Sequence, residues 1–224
     1  MSRLTRALFA EALGTALLLA TVVGSGIMGV KLAQGNDAIA LLANAGATAA
    51  ILYVLIVVLG PVSGAHFNPV VTLAMRLRGA LTSREAAAYI AVQAIAAIVG
   101  VALAHGMFDQ ALLQPGTHAR EGIGQWLSEG IATFGLLLTI LLGIAHRPAA
   151  VPALVAAYIF AAYWFTGSTS FANPAVTLAR SLTQSFAGIR PGDVPLFVAA
   201  QAAGGAAALG VARLLRAEDP ERSV

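Results

Sequence analysis

Two asparagines carry the chemistry that the sequence advertises. Asn68 follows Ser63-Gly-Ala-His-Phe and precedes Pro69-Val70, and Asn173 follows Gly167-Ser-Thr-Ser-Phe-Ala and precedes Pro174-Ala175. Each stands where a polar loop meets an apolar run, the place of a helix N-cap with proline at the first helical position. An asparagine there caps with its carbonyl oxygen and keeps its NH2 to donate. That is solvation chemistry, suited to a neutral solute, and no bond-making step is implied. Cysteine is absent. The serines around 167–170 lack a G-x-S-x-G elbow and an oriented base. His105, His118 and His146 have no metal-ligand spacing and read as surface histidines. The sequence therefore gives no catalytic residue, no metal site and no cofactor. Glu11 and Glu129 lie within apolar runs, where a carboxylate is a functional candidate by default. Here they read as acceptors for loop N–H groups. His66, Gly64, Ala65 and Thr169 are candidates for a pore-lining loop.

The elements that hold these residues are membrane helices. The 224 residues are 58% hydrophobic and 10% charged, with mean hydropathy +0.83. Six stretches, roughly 7–30, 38–60, 86–104, 123–145, 150–166 and 194–215, suit the about 20 apolar residues that a spanning helix needs. One transmembrane domain over 1–216 is expected, with a polar tail at 217–224. The first run holds Glu11 and lacks a cleavage-site pattern, so it reads as a span and not as a signal peptide. With the termini inside, Arg3, Arg6, Arg76, Arg78, Arg84, Arg147, Arg213, Arg216 and Arg222 are cytoplasmic, while Lys31, Arg120, Arg180 and Arg190 fall in outer loops. This asymmetry places both termini in the cytoplasm. There is no basic stripe for nucleic acid.

The chain is also duplicated. Glu11 and Thr15 recur as Glu129 and Thr133, the Asn-Pro segments follow, and Gln93 recurs as Gln201. The halves cover about 7–104 and 123–215. Three spans separate the two Asn-Pro motifs, so the second copy enters the membrane from the opposite face, an inverted repeat. The run 68–77 reaches about 15 Å as helix, half the hydrocarbon thickness. It is read as a re-entrant half-helix, acceptable at that depth only where it lines a cavity or is buried in protein. Two such helices from opposite faces meet by their N-termini. The expected fold is all-α: six transmembrane helices and two half-helices.

Paired Asn-Pro motifs, "SGAH" before the first, and the Glu11/Glu129 and Gln93/Gln201 pairs resemble the aquaporin, or major intrinsic protein, family. The resemblance spans nearly the whole chain. It implies a homotetramer in a bacterial inner membrane, in contact with lipid, each subunit a passive channel for water and small neutral solutes. It also implies that the paired helix dipoles exclude ions. Asn68, Pro69, Val70, Asn173, Pro174 and Ala175 would form the pore centre. The sequence departs from the family at Val70, where alanine is usual, and at Val176, where the family carries an arginine of the outer constriction. By motif distance Thr48, Ser170 and Val176 form three walls of that filter. The fourth falls near Ala161, with Tyr158 and Ile159 as alternatives. A filter so lined is wide and weakly polar, which favours glycerol-like polyols over water alone, and the resemblance to family members that lack this arginine implies undissociated arsenous or antimonous acid as well. The alternatives are a strict water channel and an alternating-access transporter.

Overall fold

A computed structural model describes residues 1–216; the tail expected at 217–224 lies outside the described residues. Among the described residues eight helices follow in order: α1 Arg3–Ala33, α2 Asp37–Ser63, α3 Pro69–Leu77, α4 Ser83–Met107, α5 Ile123–His146, α6 Val151–Phe165, α7 Pro174–Arg180 and α8 Val194–Arg216. Six of these, two of them extended by short 3-10 turns at Pro148–Ala150 and Pro191–Asp193, are long and apolar enough to cross a membrane by length and composition. The remaining two, α3 with 9 residues and α7 with 7, are not. At about 1.5 Å per residue they reach about 14 and 11 Å. The second span runs past the expected stop at Gly60, through Pro61 to Ser63, and ends where Gly64 adopts the left-handed conformation at φ 88° and its N–H returns to Gly60 O.

The two halves pack alike. α1 lies against α2 and α4, α5 lies against α6 and α8, and α2 meets α6 across the halves. Close crossings rest on small residues in both. A Cβ at Gly100 would run into the Ala16 carbonyl, and one at Gly204 would run into the Gly130 carbonyl, so α4 on α1 and α8 on α5 approach backbone to backbone. Apolar side chains such as Val57, Val58, Ile95 and Phe165 face outward, as they do on a surface solvated by lipid. The polar residues turn inward.

His105 departs from its expected surface place. It is fully buried, with Nδ1 bonded to Leu112 O at 2.9 Å and Nε2 to Thr183 Oγ1 at 2.8 Å. It thus clamps the loop after α4 to the loop after α7. Those loops continue to pair through Gln114 N to Leu182 O, Gly116 N to Ser181 O and Arg190 N to His118 O. Together they cover the C-terminal end of α7.

Candidate functional site: the pore centre and its outer wall

Each half-helix begins at its asparagine. Asn68 Oδ1 accepts from Val70 N at 2.9 Å, and Asn173 Oδ1 accepts from Ala175 N at 3.0 Å and Val176 N at 3.3 Å. The NH2 groups were expected to remain free, yet each donates one hydrogen across the junction. Asn68 Nδ2 reaches Ala172 O at 2.8 Å, and Asn173 Nδ2 reaches Phe67 O at 2.7 Å. An amide nitrogen has two hydrogens, so one on each side stays available. The crossed bonds lock the two N-termini against each other.

The loops before them are held by the carboxylates. Glu11 Oε1 accepts from Ser63 Oγ at 2.7 Å and His66 N at 2.9 Å, and its Oε2 accepts from Phe67 N at 2.7 Å and Gln93 Nε2 at 2.8 Å. Glu129 repeats the pattern with Phe171 N, Ala172 N and Gln201 Nε2 at 2.9, 2.9 and 2.6 Å. Left-handed residues recur in register: Ala65 at φ 50° and Phe67 at 48° match Ser170 at 50° and Ala172 at 48°. Alternating this conformation with ordinary ones turns successive N–H groups inward as a nest around an anion. Here the anion is the carboxylate of the same chain. Glu11 and Glu129 are both fully buried, each in its nest.

A cavity of about 830 Å³ runs from Arg3 and Leu4, past Gly64, Ala65, His66 and Asn68, to Asn173, Val176 and Arg180. Ser170 borders it, with an Oγ that has no hydrogen-bond partner among the described residues. The His66 ring borders it as well, with Nδ1 3.2 Å from Thr72 Oγ1. The facing wall is apolar, including Leu18, Val22, Ile56, Leu136 and Ile140. Polar loop on one side and hydrocarbon on the other is a path that solvates a solute along one edge only.

Several expected residues lie elsewhere. Ala161 is exposed on the outside of α6, because the inward stripe of that helix runs Val151, Val155, Ile159, Tyr163 at a spacing of four. Of the three candidates for the fourth wall, Ile159 borders the cavity. Tyr158 turns back to donate to Ala132 O at 3.1 Å. Thr48 is buried behind Tyr163, with its Oγ1 3.2 Å from the Tyr163 hydroxyl, and it does not border the cavity. Thr169 stays in the loop, its N–H on Thr166 O, and is likewise not on the wall. Val70 does not crowd the junction. It packs toward Gly205 on α8, whose missing side chain makes room for it. Pro69, Pro174 and Ala175 are helix-start and core positions.

Sequence reasoning missed three side chains. Tyr163 was legible in the four-residue stripe of α6. Arg180 was assigned to an outer loop, but it is the last residue of α7, buried to 1% exposure, one turn after Val176. Arg120, also assigned outside, is buried in the loop before α5, with Nε on Gly188 O at 2.9 Å and Nη1 on Ser168 O at 2.8 Å. Burial pushes its guanidinium down to about 10, and Glu129 and Tyr163 partly offset this. Both arginines cover the Phe171 ring, at 3.3 Å for Arg180 and 4.8 Å for Arg120. Nothing in the local sequence of Arg120 signals this, because a long loop places it.

Residues 1–167 match the family model of the major intrinsic proteins. The chain belongs to the major intrinsic protein family. It is 59% identical to the aquaglyceroporin AqpS of Rhizobium meliloti (strain 1021), over 95% of this chain and 91% of that one, which brings the second Asn-Pro motif into the match. It is 30% identical to the glycerol uptake facilitator protein of Bacillus subtilis (strain 168), over 57% of this chain and 52% of that one. The X-ray structure of the aquaglyceroporin from Plasmodium falciparum superposes with a TM-score of 0.74 at 20% identity, covering 92% of this chain and 94% of that one. That likeness shows the same fold. The protein is an integral membrane channel that passes water and small neutral solutes, and it is not an enzyme.

Proposed function

We propose that this channel conducts glycerol-sized polyhydroxy solutes and undissociated arsenous or antimonous acid, in addition to water. The observation that carries the reading is Val176 on the wall of the cavity that small Ser170 also borders. An apolar residue there leaves width where the family's arginine would narrow the passage, and a neutral solute keeps part of its hydration shell. The aquaglyceroporin and glycerol-facilitator relatives support it. Asn68 and Asn173 each offer a second amide hydrogen at the centre, and the loop residues Gly64, Ala65 and His66 border the cavity on the other half-helix's side. The resemblance supports a homotetramer in a bacterial plasma membrane. The charge asymmetry supports cytoplasmic termini.

Val176→Arg tests the width. In proteoliposomes it should cut glycerol and arsenous acid flux by about tenfold, as an added steric and desolvation barrier of about 1.4 kcal/mol does, and cut water flux much less. An equal loss for all three, or wild-type vesicles no leakier to glycerol and arsenous acid than empty ones, would reject the wide filter.

A further inference from the structure

The two halves cover the flanks of their half-helices differently. Beyond the C-terminal end of α7, the flank toward α1 and α4 is filled by the chain itself: His105 reaches Thr183, the Ala187 side chain stands over Gly26, and the Phe108 ring stands over Gly24. The loop 181–190 that follows α7 is long enough to do this. After α3 the chain passes to α4 through residues 78–82 alone, and the matching flank, toward α5 and α8, is left unfilled by the described residues. A groove of about 260 Å³ opens there, lined by Leu77, Arg78, Leu141, Leu209, Ala212 and Arg213.

Its floor is apolar and its rim is charged. Leu141 and Ala212 belong to the buried cluster around α3, and Leu77 is exposed beside them. Arg78 and Arg213 are exposed at the rim. Arg76 is turned away to α4, with Nε on Ser83 Oγ at 3.0 Å. Arg213 has no ion pair among the described residues. Glu85, the nearest carboxylate in sequence to Arg78, has its Oε2 taken by Thr82 N and Oγ1 at 2.8 Å each. With cytoplasmic termini, as proposed above, this groove opens at the headgroup level of the leaflet that is rich in anionic lipid.

We propose that the groove holds an anionic phospholipid of the surrounding bilayer, its phosphate between Arg78 and Arg213 and the upper part of one acyl chain along Leu77, Leu209 and Leu141. A guanidinium takes a phosphate through paired N–H groups. A choline headgroup brings its own cation to the rim and is repelled there, so phosphatidylglycerol fits better than phosphatidylcholine. The lipid then does for α3 what His105 and Ala187 do for α7: it closes the flank and holds the half-helix against its neighbours.

The full-length channel in detergent is titrated with phosphatidylglycerol and with phosphatidylcholine of the same acyl chains, and bound lipid is counted by native mass spectrometry. Lipid retention is read without any flux, so the solute range proposed above has no bearing on it. The wild type should hold one phosphatidylglycerol per subunit in clear preference to phosphatidylcholine. Arg78→Gln and Arg213→Gln should each weaken it by about fivefold, the loss of one interfacial arginine, and the double variant by about 25-fold. Arg84→Gln and Arg147→Gln, exposed arginines that do not line the groove, should bind as wild type does. Phosphatidylglycerol should also raise the melting temperature of the wild type and not that of the double variant. Equal retention of the two lipids, or equal losses in the groove and control variants, would overturn the proposal, since general surface charge would then account for the binding. The acidic residues Glu218, Asp219 and Glu221 are the rival occupants within this chain. If neutralising all three to amides raises phosphatidylglycerol affinity tenfold or more, the groove belongs to them and not to lipid.

Discussion

The inner half-helix with its loop and the outer one with its loop share a skeleton and differ in their walls. In both, a buried glutamate gathers two consecutive loop N–H groups and a glutamine, the glutamine Nε2 also touches a threonine of the half-helix, and the asparagine caps its own helix while bonding to the other loop. The side chains facing the path are less constrained: Met75 against Arg180 and Ala65 against Ser170. The difference teaches which positions can drift. Loop N–H groups at membrane depth have no other acceptor, so every change in that network leaves a buried orphan. A residue on the wall meets the solute instead, and can change with what passes.

The first way to break the comparison is to remove the carboxylates. Glu11→Ala strips acceptors from two backbone N–H groups, Ser63 and Gln93, while Glu129→Ala strips them from two backbone N–H groups and Gln201. Each orphaned donor costs about 1–3 kcal/mol. Both variants should melt well below wild type in detergent, and Glu11→Ala should be the worse. Wild-type melting in either one would mean that the loops find other acceptors, and the shared skeleton would not be what holds the pore.

A smaller effect lies where the halves trade volume. Val70 of α3 sits over Gly205 of α8, and at the matching places Ala175 of α7 shares a buried cluster with Ala97 of α4. One half writes large on small, the other medium on medium. Gly205→Ala would push its Cβ toward Val70 Cγ1, an overpacking of about 1–3 kcal/mol. Val70→Ala in the same chain should recover most of that, reproducing the outer half's pairing in the inner half. Thermal melts of the two single variants and the double give the coupling, and additive losses would show that the valine has no special tie to this glycine.

The skeleton was legible because it is periodic and written twice. Six apolar runs, two Asn-Pro caps and the Glu and Gln pairs are local patterns, and the helices and nests form where those patterns lie. The walls were less legible. Thr48 and Ala161 were placed by counting from a motif, but a helix turns about 100° per residue, so a small error in the count carries a side chain from the pore to the lipid or behind a neighbour. Ile159 and Tyr163, two residues to either side, border the cavity where counting gave Ala161. Arg180 looked like a loop charge because charged residues in membrane proteins usually mark loops, and only the covering pair of outer loops shows that it is inside. Arg120 and His105 depend on loop contacts between residues far apart in sequence, for which no local pattern exists.

The smallest expected effect also belongs to the outer half. His118 lies in the loop that carries Arg120, exposed at the end of the channel nearer α7's C-terminus. Partial desolvation by that loop lowers its imidazole below the ordinary 6.5, and Arg120 and then Arg180 add to the lowering. In the folded channel the neutral ring is therefore favoured more than in the unfolded chain. Above about 6.5 the ring is neutral in both states and contributes nothing. As pH falls through 6.5 toward the lower folded value, the unfolded chain takes up the proton first, so stability drops with it. Solvent and salt screen an exposed ring, which keeps the drop small. Melting curves between pH 7.5 and pH 5 should slope downward for wild type and less for His118→Asn, and the gap should narrow in high salt. Parallel slopes for the two channels would mean that His118 does not feel the buried arginines, and the outer positive charge would be better shielded from the mouth than its geometry implies.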